Sequence, residues 1–193
     1  MGPRFLIQEA PDVAAKEVVE DALQSMHGGN PPFKWVEEDG RSLIGCYATL
    51  SYTTAPWTRQ FFELAKLCYS PVGAKPRNRE LAILGLSSVL DVPYVVYCHR
   101  GVAAKVGLTA EQYTDGLAGQ VPKDLTEEES MAYRLGCILT TLNGPLDDAT
   151  WQEVTSVMEK SEFVAILHTV AGYRWVSLLE QVNGEDHRWA KSD

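Results

Sequence analysis

Three features of the chain predict an all-α fold: apolar residues recurring at three- and four-residue spacing, proline, glycine and capping signals at the ends of those segments, and the lack of any alternating run long enough for a strand. No fixed-period repeat is visible.

The elements follow in order. Asp12 caps a first helix whose apolar positions Val13, Val18, Val19, Ala22 and Met26 share a face, and Gly28 with Gly29 stops it. Asn30 to Arg41, with Pro31, Pro32 and Asp39-Gly40, reads as a loop leading to a short helix at Ser42 to Ser51. Pro56 takes a favoured first-turn position of a helix ending near Tyr69, with Trp57, Phe61, Leu64, Ala65 and Cys68 on one face. Pro76 opens the next helix, Asp91 to Pro93 breaks it, and another runs from about Pro93 to Val106 before Gly107. Thr109 starts a short helix. Thr126 and Glu129 form a capping box for a helix through Leu142, and Asn143-Gly144-Pro145 ends it. Helices at about Asp148 to Lys160 and Ser161 to Val182 complete the chain.

With 193 residues, 45% of them hydrophobic, the chain has enough apolar material for a single domain over 1–193, with residues 1–40 as an N-terminal helix and loop extension. A net charge of -9, with no basic cluster, sets the chain against a phosphate backbone, so nucleic acid is not expected as a partner. The apolar run in MGPRFLIQEAPD is too short for a signal peptide, Leu6 breaks the myristoylation pattern, and no segment has the roughly 20 apolar residues that span a bilayer. A cytoplasmic protein without membrane association is the expectation. Cys46, Cys68, Cys98 and Cys137 make no C-x-x-C, and His27, His99, His168 and His187 show no paired-ligand spacing, so no metal is implied. Scattered cysteines of this kind are ordinarily reduced core residues.

Arg77 to Leu108 carries the chemistry. Glu80 lies among Leu81, Ile83 and Leu84 on a helix apolar nearly all round, so its carboxylate needs water, a partner or a raised pKa. The plain reading is a solvated face or an ion pair with Arg77 or Arg79; the functional one is an acid–base group. His99 projects from an apolar face made by Val92, Val95, Val96 and Ala103, which suits either a satisfied core histidine or a proton-transfer group. Tyr94 lies about 140° from His99 around an ideal helix, at the edge of such a site.

Arg79-Glu80-Leu81-Ala82-Ile83-Leu84, followed by Tyr94, His99, Ala103 and Gly107-Leu108, resembles the core motif of the carboxymuconolactone decarboxylase and alkylhydroperoxidase D-like superfamily. The resemblance extends less specifically to Tyr47–Leu67 and Phe163–Asn183, and it implies the helical bundle of that superfamily. In its redox branch the pattern is Glu, eleven residues, then C-x-x-C-x-x-x-H; Glu80 and His99 match, whereas the two cysteine positions hold Val92 and Val95. Valine provides neither an attacking thiolate nor a resolving thiol. Cys98 points about 100° away from His99 and is a poor substitute.

The decarboxylase-like branch then implies a cofactor-free lyase or isomerase, possibly a cyclase, on a small carboxylated lactone or carbonyl metabolite, with no cofactor required. On that resemblance His99 is the proton donor or base, Glu80 its orienting partner or a second acid–base group, and Tyr94 a hydroxyl donor. Arg100 or Arg79 would pair with a substrate carboxylate, with a surface ion pair as the plain alternative for each. Val92 and Val95 would line the pocket. His168, Gly172 and Trp175 share a face of the last helix, either a core or subunit-interface stripe or a pocket wall with His168 as a second proton-transfer group. Trp35 and Trp57 would wall an aromatic ligand, or belong to the core. The resemblance implies a homo-oligomer, as dimer, trimer or hexamer. Two alternatives stand beside the lyase: a non-catalytic binding or assembly protein on the same fold, and a single-cysteine hydroperoxide-reducing enzyme using Cys98 beside Arg100.

Overall fold

A computed structural model describes residues 4–6, 13–28, 31–40, 42–184 and 189. Among them are nine helices and no strand: α1 (Val13–His27), α2 (Cys46–Leu50), α3 (Ala55–Tyr69), α4 (Pro76–Val89), α5 (Pro93–Lys105), α6 (Ala110–Leu117), α7 (Glu127–Thr141), α8 (Asp148–Val157) and α9 (Lys160–Asn183). The all-α class is therefore correct. None of these helices is long and apolar enough to cross a membrane.

Local signals placed most ends well. The Thr126–Glu129 capping box is present in both directions, Thr109 makes a second one with Gln112, and Pro76 stands in the first turn of α4. Gly107 adopts a left-handed φ of 84° after α5, as a helix-stopping glycine does. Asp12 and Gly29 lie outside the described residues. The helix expected from Ser42 is shorter: residues 42–44 are not helical, Leu43 bridges antiparallel to Val36, and Gly45 turns into α2 with φ 60°. Asp39 is the cause, because its carboxylate accepts from both the N–H and the hydroxyl of Ser42 and holds the 37–42 turn.

Two compact units divide the chain, one made of Met1–Lys66, Val92–Gly101 and Trp175–Asp193, the other of Leu67–Asp91 and Val102–Arg174. In the first, Val19, Leu23, Phe33, Leu43, Ile44, Leu50, Phe61, Phe62 and Tyr94 form a buried apolar cluster. Gly45 is needed there: a Cβ on it would lie 2.0 Å from the Tyr94 ring.

In the second unit α4 packs against α7 and, over a smaller area, against α6. Residues Asn78 to Ser87 of α4 are buried without interruption. The α4–α7 approach is set by glycine on both sides, since a Cβ on Gly85 would meet the Tyr133 carbonyl oxygen at 2.1 Å and one on Gly136 the Ala82 carbonyl oxygen at 2.1 Å. The start of α4 is fixed by carboxylates: Glu162 accepts from the Lys75 N–H at 3.0 Å and from the Asn78 side-chain amide at 2.8 Å.

Candidate functional site

Glu80 and Arg79 are the most buried charged pair found among the described residues, 1% and 6% exposed, on a stretch of α4 with no exposed neighbour. Neighbouring helical positions do not ordinarily face each other. Here the Arg79 side chain turns back so that its Nε donates to Glu80 Oε1 at 3.1 Å. Of the two arginines that the sequence offered as partners, Arg77 is engaged elsewhere: its Nε pairs with Glu129 at 2.5 Å and its Nη1 donates to the Gly107 carbonyl at 2.7 Å, closing the end of α5.

Two tyrosines complete this cluster within the same unit. The Arg79 guanidinium lies 4.1 Å from the centre of the Tyr69 ring, and the Tyr69 hydroxyl hydrogen-bonds the Tyr173 hydroxyl. Burial first, and then the Glu80 charge, push the Tyr69 pKa well up, so Tyr69 stays a neutral hydroxyl. Cys68 beside it is also shifted upward, by burial. The neutral Tyr69 hydroxyl, the Tyr173 hydroxyl bonded to it, a guanidinium and a carboxylate therefore share one part-buried region, a set able to hold an anion and hand on a proton.

The remaining candidates lie on or near α5 and α9. His99 is 7% exposed, and Arg100 is exposed. Tyr94 is 2% exposed and donates its hydroxyl proton to the Lys34 carbonyl at 2.6 Å, which commits that proton to the backbone. Val92 and Val95 are buried at 1% and 3%. The N-terminus of α5 is closed by Glu180 of α9, whose carboxylate accepts from the N–H of Tyr94 at 2.8 Å and of Val95 at 3.0 Å. A helix N-terminus is where a thiolate would be stabilised. Here a fixed carboxylate already neutralises it. The Cys98 thiol is only 6% exposed, and burial foremost pushes its pKa well up, with Cys46 and, least, Glu180 adding and the Tyr94 hydrogen bond opposing. The conditions for a reactive Cys98 are absent from this geometry.

His168 is exposed, while Trp175 is half-buried with its ring edge-on to Phe61 at 4.8 Å and to Trp57 at 6.4 Å. Trp35 lines an open groove of about 480 Å³ with Pro31, Pro32, Lys34 and Tyr97. A second cavity, about 20 Å³ beside Tyr94, Glu180 and Asn183, has room for one water.

Sequence reasoning missed Tyr69, Tyr173 and Glu180. Tyr69 read as the end of a helix and Tyr173 as part of an apolar run. A signal existed for Glu180, a lone acid between Leu178-Leu179 and Val182, the same pattern that singled out Glu80. Comparison with family models, curated proteins and solved structures finds no match.

Proposed function

We propose that the chain is an acid–base enzyme related to the decarboxylase-like branch of the carboxymuconolactone decarboxylase superfamily, acting on a small carboxylated lactone or carbonyl compound. The supporting observation is the Arg79–Glu80 pair buried against the Tyr69 ring, whose hydroxyl bonds that of Tyr173. Burying an ion pair costs several kcal/mol per charge, and apolar residues of similar volume usually serve stability as well or better. A charged pair with attendant hydroxyls in the most buried stretch of α4 is thus better explained by chemistry than by packing. The resemblance makes His99 a proton donor or base, Glu80 an acid–base group and Tyr94 a hydroxyl donor, and beside Glu80 the neutral Tyr69 hydroxyl is a further group to stabilise a developing enolate.

Proton transfer is measurable without knowing the product. In D2O, a panel of carboxylated lactones and enolisable ketones is followed by NMR for deuterium entering the position next to the carbonyl. Wild-type protein should exchange at least one compound, and Glu80→Gln and His99→Asn should each slow that exchange by roughly 100-fold or more. Lack of exchange across the panel defeats the reading.

A second reading, a binding protein that keeps the fold without turnover, has its own support in the Tyr94 proton committed to Lys34 and the α5 N-terminus closed by Glu180. Saturable binding of a panel member with no exchange would establish it. The proposal includes a homo-oligomer. Val164 and Leu167, 45% and 38% exposed on α9, support a contact surface. Leu167→Glu should lower the mass seen by sedimentation velocity, whereas a monomeric wild type removes this part.

A further inference from the structure

Arg79 is 6% exposed, yet only one of its three guanidinium nitrogens has a hydrogen-bond partner among the described residues. Its Nε edge is turned to Glu80 and one face of its plane is covered by the Tyr69 ring. The two Nη atoms carry four N–H donors. They are not among the side-chain atoms that are sealed from solvent without a partner, so this outer edge keeps some contact with solvent. Two other arginines of the same unit are satisfied at the fork: Arg77 by Glu129 and the Gly107 carbonyl, Arg134 by both carboxylate oxygens of Glu153. Donors on a side chain only 6% exposed are incompletely hydrated, so an anion placed against them gains hydrogen bonds that water supplies poorly there.

We propose that the outer edge of Arg79 binds the carboxylate of a small organic acid, and that this carboxylate is retained through the reaction. The planar fork matches two carboxylate oxygens, which a lysine ammonium would not. Glu80 occupies the Nε side, leaving the incoming anion the opposite edge, and the Tyr69 hydroxyl, kept neutral, does not repel it. Retention follows from the charge. Loss of CO2 converts an anionic carboxylate into a neutral molecule, so a fixed guanidinium on that group stabilises the starting state more than the transition state. A carboxylate held by Arg79 is therefore a handle, and any bond change occurs elsewhere in the substrate. This inference rests on the acid–base reading for its catalytic meaning, though not for binding itself.

The test uses the full chain with 15N-labelled arginine, titrated with sodium acetate, sodium benzoate and the neutral isostere benzamide. Benzoate should bind at least about tenfold more tightly than benzamide and move the Arg79 side-chain resonance, and Arg79→Lys should weaken benzoate about tenfold while Arg134→Lys leaves it unchanged. If Arg79→Lys does not fold, the benzoate–benzamide contrast and the Arg79 resonance in wild type decide. Equal affinity for the acid and the amide, undiminished benzoate binding by folded Arg79→Lys, or no saturable binding of either carboxylate overturns the inference. Carboxylate binding that needs Arg79 in a protein showing no deuterium exchange keeps the inference and removes the acid–base reading. Exchange that needs Glu80 with no carboxylate preference does the reverse.

Discussion

Glu80 holds its place through Arg79, and the energetic consequence is lopsided. Replacing Glu80 by Gln leaves a guanidinium 6% exposed without its counter-charge, which should cost about 3–5 kcal/mol of stability. Replacing both residues, Arg79→Met with Glu80→Gln, should cost less than the sum, because no uncompensated charge remains. Urea unfolding of the two single variants and the double variant measures this, and additive losses would show that the pair is not coupled. Tyr69→Phe removes one hydroxyl–hydroxyl bond and should cost about 1 kcal/mol. It keeps the ring under Arg79, so its effect on deuterium exchange separates a hydroxyl that takes part in proton transfer from a ring that merely supports the guanidinium.

Helices α4 and α7 approach as closely as they do because each offers a glycine to the other's backbone. Gly85→Ala or Gly136→Ala puts a methyl where a carbonyl oxygen stands at 2.1 Å, and backbone cannot swing aside as a side chain can. Each substitution should destabilise by about 1–3 kcal/mol or more, despite alanine being the better helix former. Thermal unfolding checks this, and a gain in stability would mean that the helices part without loss. For α5 the decisive partner is Glu180. With its carboxylate on the Tyr94 and Val95 N–H groups, a cysteine introduced at position 95 should remain a weakly acidic thiol. Alkylation rate against pH for Val95→Cys should show a lower thiol pKa once Glu180→Gln is added; an unchanged pKa would remove Glu180 from the account.

At the scale of the whole molecule, the acidic balance governs the response to pH. Lys75 holds the Glu128 carboxyl below the ordinary carboxylate range, the Thr150 N–H does the same for Asp147, and Arg134 for Glu153. A carboxyl whose pKa is lower in the folded chain binds its proton less readily than in the unfolded chain. It therefore adds stability above its ordinary value, 4.5 for Glu128, and that contribution fades as the pH falls through the lowered one. The stability gap between wild type and Glu128→Gln should thus be present at neutral pH and close in acid, as read by urea midpoints across a pH series. A gap that stays constant would assign Glu128 an uncharged role.

The sequence by itself determined the all-α class and most helix ends, because proline, glycine and capping boxes act within three or four residues of where they stand. It also marked Glu80 and His99, since a polar group on an apolar face is visible from spacing alone. It did not choose between Arg77 and Arg79 for Glu80, nor show Tyr69 and Tyr173 beside them, nor Glu180 on the α5 N-terminus. Those pairings join residues distant along the chain, or depend on how one side chain turns, and were decided only when helix packing set which groups meet in the absence of water.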